Sequence, residues 1–183
     1  MKVLAKTEHH FHNTPLSSRY LDRASAEYRG AFLVHVAHFY QPWSTLTKTI
    51  KTGNPAPVKG RSQASEFAWA MFHSGLERAQ QVASVLDFDR VSRVLDLGGG
   101  PGHYALAAAR NCPTCRVVVF DRADMLEVTK EIISLNADIG ERVTTQAGDF
   151  LTDDIGSGYD IIIGSNIIHS YGEEDAQETI RKA

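Results

Sequence analysis

Val94-Leu95-Asp96-Leu97-Gly98-Gly99-Gly100-Pro101-Gly102-His103-Tyr104 decides the fold of this chain. It reads as a short buried strand, a glycine turn and the first turn of a helix. Four glycines and a proline crowd the turn, so the backbone can bend sharply and admit a ligand without interference from Cβ atoms. The helix that begins near His103 offers free N–H groups at its positive end. A strand, a turn and a helix N-terminus in that order bind a nucleotide-like ligand at the carboxyl edge of a parallel strand.

The spacing narrows the choice of ligand. A dinucleotide fingerprint runs G-x-G-x-x-G, and His103 occupies the slot where its third glycine belongs. No Gly-Lys-Ser/Thr follows, which excludes a P-loop. The turn is an acidic D-x-G-x-G-x-G, with Asp96 ahead of Gly98, Gly100 and Gly102. A carboxylate there repels pyrophosphate and suits a cation. S-adenosylmethionine, with its sulfonium and ammonium, is such a ligand. Asp96 has two readings that are compatible: a cap on the turn through backbone N–H groups, or a contact with the ammonium, directly or through water.

Four further stretches agree with this start. Arg116 to Phe120 is an unbroken β-branched run ending at Asp121, as expected of a parallel strand buried on both faces. Asp121 stands about where, roughly 20 residues on, an acidic side chain binds ribose hydroxyls. A third strand is predicted over Arg142 to Gln146, followed by Ala147-Gly148-Asp149-Phe150. There the Asp149 carboxylate can accept from an adenine amino group while Phe150 packs against the ring. A fourth strand over Tyr159 to Ile163 leads into Gly164-Ser165-Asn166-Ile167-Ile168-His169. Helices over His103 to Arg110 and Arg122 to Asn136 fall between the strands, which makes an α/β, doubly wound parallel sheet.

Together these residues resemble the class I methyltransferases, and within them the small-molecule O-methyltransferase family of caffeate, hydroxyindole and antibiotic-tailoring enzymes. His38 to Gly60 is similar to the family's helix-and-loop segment ahead of the catalytic domain. Asn13 to Leu21, with a hairpin around Val3 to Asn13, is similar to the tail of its winged-helix domain. The resemblance implies residues 1–88 as the end of a winged-helix and dimerisation region with a helical linker, and 89–183 as an S-adenosylmethionine-binding, Rossmann-like domain. It also implies more strands than the four that can be placed. An incomplete sheet is therefore expected, either as part of a longer protein or as one subunit of a split enzyme.

His169 should stand at the carboxyl edge of the sheet, where a parallel sheet carries its ligands. From position alone it is equally a general base or a histidine lining the cleft; the resemblance implies the base. A phenol with a pKa near ~10 is only about one part in a thousand ionised at pH ~7, a deficit of roughly 4 kcal/mol. Neutral imidazole can take that proton as the methyl group moves. In the family the histidine opens an H-D-W motif, whereas Ser170 and Tyr171 follow it here. That departure keeps carbon and nitrogen acceptors open beside oxygen. Phe67 and Met71, one helical turn apart, read first as core, and the resemblance adds a wall of the acceptor pocket.

Composition bounds the rest. A net charge of −3 with scattered Lys and Arg gives no footprint for nucleic acid. No apolar run approaches the roughly 20 residues that span a bilayer, so a cytoplasmic protein, dimeric by family habit, is expected in secondary metabolism. Cys112-Pro113-Thr114-Cys115 leads into a strand and has no second C-x-x-C, so two free thiols in a loop are expected rather than a redox or zinc site. His9, His10 and His12 alternate as on a solvated strand face, and His35 with His38 reads as helix packing. No metal site is predicted. Lys51 to Ser62, with Gly53, Pro55, Pro57 and Gly60, is the most loop-like stretch and joins two helical segments.

Overall fold

The computed structural model describes residues 2–25, 27–54 and 64–183, so most of the predicted loop at 51–62 lies outside the described residues. By packing, the chain divides into two units, Met1–Ser74 and Gly75–Ala183.

The first unit opens with an antiparallel hairpin, β1 (Leu4–Thr7) and β2 (His10–Asn13), paired from Leu4 opposite Asn13 to Thr7 opposite His10. His9, His10 and His12 are exposed on it. Thr14 then caps α1 (Pro15–Leu21), its side chain accepting the Ser17 N–H, with proline in the first turn where its missing N–H costs nothing. Three short helices follow: α2 (Gly30–His38), α3 (Tyr40–Ser44) and α4 (Leu46–Thr52). Gly53 ends α4 in the left-handed conformation, φ +68°. The long α5 (Ala64–Val85) brings Phe67 edge-on to the His35 ring at 5.1 Å, and His35 meets Phe39 at 4.8 Å. His35 is thus a packing residue.

In the second unit, β3 (Arg93–Leu97), β4 (Arg116–Asp121), β5 (Val143–Ala147) and β6 (Ile161–Ile163) form one parallel sheet in the order β5-β4-β3-β6. The predicted doubly wound α/β layer is what forms. The connections are α6 (His103–Asn111) and α7 (Ala123–Ser134) with the short α8 (Ala137–Gly140), and a 3₁₀ turn (Ile168–Ser170) and α9 (Glu173–Lys182) follow β6. The chain winds outward from β3 to β5, then returns to the other side of β3. That reversal is a topological switch point, and it leaves a crevice at the carboxyl ends of β3 and β6.

β3 is buried on both faces, and its side chains alternate between them. Leu95 and Leu97 join Phe120, Phe150 and Ile155 in one core cluster, while Asp96 points the other way, toward α6. The small side chains of α6 let it pack closely: Ala107 and Tyr104 cluster with Ala79 and Ala83 of α5. β6 is shorter than the sequence suggests because Tyr159 and Asp160 anchor its amino end instead. Asp160 accepts the backbone N–H groups of Ser92 at 2.8 Å and Arg93 at 2.9 Å, and the Arg93 guanidinium lies over the Tyr159 ring.

Cys112 and Cys115 form a disulfide, correcting the expectation of free thiols. The Cys115 N–H donates to the Cys112 carbonyl at 3.3 Å, folding Pro113-Thr114 into a turn that sets the two Cα atoms 5.4 Å apart with both sulfurs buried. The pair sits where α6 hands over to the amino end of β4, away from the glycine turn.

Phe120 is fully buried at the centre of this core, and its ring leaves no room for a side chain at Gly148. Phe120→Ala is expected to cost about 3–5 kcal/mol. Urea unfolding should then show a midpoint lowered by at least about 1 M; an unchanged midpoint would show that the cluster is not the core of this unit.

Candidate functional site

The glycine turn leaves β3 at the switch point, and its backbone takes the form the sequence demands. Gly98, Gly100 and Gly102 all have positive φ, +62°, +52° and +76°. A Cβ at Gly98 would collide with Ile167, which comes over from the loop after β6. Beside the Gly100 Cα the space is open. Gly102 caps α6 without a side-chain bond, and the Leu106 N–H closes the first helical turn on the Gly102 carbonyl at 2.9 Å.

Two carboxylates flank the turn. Asp96, 1% exposed, accepts the Ala105 N–H on Oδ2 at 2.9 Å, so it caps the helix rather than the turn. Its Oδ1 is buried with no hydrogen-bond partner among the described residues. Burial, reinforced by the charge of Asp121 and opposed by the Ala105 N–H, pushes its carboxyl up to about 7. Asp121, at the carboxyl end of β4, accepts the Gly100 N–H on Oδ2 and the Arg122 N–H on Oδ1, both at 2.7 Å. Burial raises its carboxyl as well, against the pull of those two N–H groups and the Arg122 charge. Each oxygen keeps a second lone pair for a ligand hydroxyl.

Asp149 and Phe150 lie past the end of β5. Asp149 is exposed, with one oxygen accepting the Leu151 N–H at 3.0 Å. Phe150 is 8% exposed and belongs to the core cluster, so its ring is a floor and not an open platform. Lys182 of α9 holds this loop, donating to the carbonyls of Phe150 at 3.1 Å and Leu151 at 2.6 Å. Tyr171 meets the Phe150 ring edge-on at 5.3 Å. Burial and the nearby charges of Asp149 and Asp121 raise the Tyr171 phenol. The sequence marked Tyr171 only as a departure from a motif; its place near Asp149 and Asp121 is set by the fold.

His169 sits exposed on the 3₁₀ turn after β6, beyond the carboxyl end of the strand. Phe67 and Met71 belong to the first unit, where Phe67 packs on His35. Sequence reasoning passed over His103 except as a missing glycine. Its ring lies against Gly75 of α5, where any Cβ would collide with the imidazole, and its Nδ1 is buried without a partner among the described residues. Burial lowers it to about 4, so it is neutral beside the turn.

A parallel sheet with an acidic glycine turn at its switch point, and a second carboxylate on the neighbouring strand, defines a nucleoside-binding α/β enzyme fold. The chain belongs to the O-methyltransferase family, whose domain matches residues 57–183. It is 27% identical to 3-hydroxy-5-methyl-1-naphthoate 3-O-methyltransferase of Streptomyces sahachiroi, over 97% of this chain and 54% of that protein. It is 26% identical to bovine acetylserotonin O-methyltransferase, over 93% of this chain and 53% of that one. A solved O-methyltransferase family protein from Burkholderia thailandensis superposes with a TM-score of 0.84 at 26% identity, covering 99% of this chain and 57% of the other. The chain thus spans about half the length of the relatives it matches. Among the described residues no helix is long and apolar enough to cross a membrane.

The two buried groups around the turn make opposite demands on pH. Asp96 binds its proton more tightly folded (about 7) than at its usual 3.8, so its contribution to stability is complete below 3.8 and is lost as pH rises to about 7. His103 is held neutral (about 4 against its usual 6.5), so its contribution is complete above 6.5 and is lost as pH falls toward 4. In the native protein the two slopes oppose each other between these limits. Asp96→Asn should unmask the rising slope of His103, and His103→Gln the falling slope of Asp96, each up to about 1.4 kcal/mol per pH unit. Urea unfolding across pH 4.5 to 7.5 reads both; variants that keep the native pH dependence would dismiss the assignment.

Proposed function

We propose that the protein transfers a methyl group from S-adenosylmethionine to a hydroxyl of a small aromatic or polyketide-like molecule. The observation that carries this reading is the pair of carboxylates at the ends of β3 and β4, one with an unpartnered buried oxygen, around a turn open beside Gly100. Bringing a cation close to Asp96 and Asp121 offsets their burial, and two acceptors on Asp121 match a vicinal diol. The relatives bearing on the acceptor are named for oxygen methylation, of a naphthoate and of acetylserotonin.

In this reading residues 89–183 hold the cofactor and residues 1–88 serve dimerisation and the acceptor pocket, with Phe67 and Met71 on its wall. Gly98, Gly100 and Gly102 let the cofactor approach the backbone, Asp96 faces its ammonium, Asp121 holds the ribose, and Asp149 with Phe150 receives the adenine. The bound cofactor supplies an electrophilic methyl carbon on a sulfonium. His169 removes the acceptor proton onto its imidazole, and the turn and pocket hold the nucleophile in line.

Two substitutions separate the cofactor and acceptor roles. Asp121→Ala loses two charge-assisted bonds and should weaken S-adenosylhomocysteine binding at least about 10-fold. His169→Ala should leave that affinity alone and lower kcat by about 10²- to 10⁴-fold on an acceptor phenol. Calorimetric titration reads the first and single-turnover methyl transfer the second; unchanged affinity or unchanged rate removes the corresponding role.

A further inference from the structure

Thr129 lies on α7 with no exposed surface, one of four buried polar or charged residues among those described. A threonine inside a helix ordinarily bonds back to the carbonyl four residues earlier. Here that partner, the Met125 carbonyl, is 3.2 Å away, while the Gly100 carbonyl is closer at 2.6 Å. A hydroxyl has one proton to give, and the shorter contact takes it. Its methyl group is 3.1 Å from where a Cβ on Gly102 would stand, so the side chain also seats against the next glycine of the turn. Gly100 is therefore held from both sides. Its carbonyl accepts from Thr129 on α7, and its N–H donates to Asp121 on β4 at 2.7 Å.

We propose that Thr129 is a positioning residue for the cofactor: its hydroxyl fixes the Gly100 carbonyl, which keeps the Gly100 N–H on Asp121 and aims that carboxylate at the ribose. The proposal rests on the reading of the turn and Asp121 as the cofactor site. Gly100 needs such a restraint because a glycine with φ +52° and open space beside it has no side chain to hold it in place. Without the hydroxyl, the Gly100 carbonyl loses its partner and the residue is free to turn away from Asp121.

This role has a signature that simple packing lacks. The Gly100 N–H is one of the groups that lower the Asp121 carboxyl; those of opposite or like charge around it are Asp96 on β3, Arg122 and Asp124 at the start of α7, and Tyr171 after β6. Only the ionised carboxylate accepts from both ribose hydroxyls, so affinity falls on the acid side as Asp121 takes a proton. Losing the Gly100 N–H raises the Asp121 carboxyl, and the acid limb of the affinity profile then moves to higher pH.

The test is calorimetric titration of S-adenosylhomocysteine into the purified protein from pH 5 to 8, for wild type, Thr129→Val and Thr129→Ser. Valine keeps the shape and loses the hydroxyl; it is expected to weaken binding about 3- to 10-fold at neutral pH and to move the acid limb upward. Serine keeps the hydroxyl and should match wild type in both. Wild type that binds while Thr129→Val binds equally, with the same acid limb, overturns this proposal alone. Serine as weak as valine also overturns it, since the methyl group and not the hydroxyl would then matter. Should Thr129→Val not fold, Thr129→Ala against Thr129→Ser decides: a weakened alanine variant beside an unaffected serine variant supports the role, and equal affinities overturn it. Wild type that binds no S-adenosylhomocysteine overturns the cofactor site itself and this inference with it.

Discussion

β3 can pair with β4 on one side and β6 on the other only if the chain reverses its winding after β5. That reversal governs everything at the site. The connections leaving β3 and β6 diverge to opposite sides, which leaves the space between them to the turns. A glycine turn fits there because its backbone can occupy positive φ three times in five residues while presenting N–H groups in place of side chains. Ile167 then reaches across from the β6 side and rests where a Gly98 side chain would have been. The crevice is thus shaped by two strand ends together, although the sequence motif belongs to only one of them.

Electrostatics at this crevice work against the folded protein. Asp96 is removed from water with one oxygen unpartnered, and Asp121 is close enough to raise it further. Two carboxylates in such a place cost free energy as anions. A single cation relieves both, whereas a pyrophosphate would add to the repulsion. His103 beside the turn is neutral for a separate reason: its burial against Gly75 disfavours the imidazolium.

The strands were legible because a parallel sheet buried on both faces requires unbroken apolar, β-branched runs, and Arg116 to Phe120 can be read no other way. The glycine turn and the two acidic positions at the carboxyl ends of β3 and β4 followed from spacing, whereas the amino end of β6 did not. What did not follow was anything decided by a partner distant in sequence. Asp96 finds its donor nine residues on, in the helix and not in the turn, because the alternation of β3 aims it at α6. Phe150 looks like a free aromatic after a strand, yet the Lys182 clamp and the Phe120 cluster draw it into the core. Thr129 is invisible in α7, where a threonine amid Val128 and Lys130 carries no periodic signal; only the approach of Gly100 gives it a task. The Cys112–Cys115 pair was misread because spacing alone does not tell which way a turn aims its sulfurs.

The two sides of the proposed chemistry are built to different tolerances, and the reaction explains why. A methyl group on a sulfonium is already electrophilic, so the protein gains most by fixing where that carbon sits. Accordingly the turn proposed to hold the cofactor is fixed by hydrogen bonds of 2.6 to 2.9 Å among residues of a single packing unit: Ala105 to Asp96, Gly100 and Arg122 to Asp121, and Thr129 to Gly100. His169 stands instead on an exposed one-turn helix tied by ordinary backbone bonds, Ser170 to Ile167 at 3.1 Å and Tyr171 to Ile168 at 3.2 Å. In its proposed role it would meet the acceptor, and the relatives are named for acceptors of different shape, a naphthoate and acetylserotonin. Under the proposed roles, a base on an exposed turn beside a methyl donor seated on the glycine turn leaves alignment to the donor side and acceptor choice to the walls of the pocket.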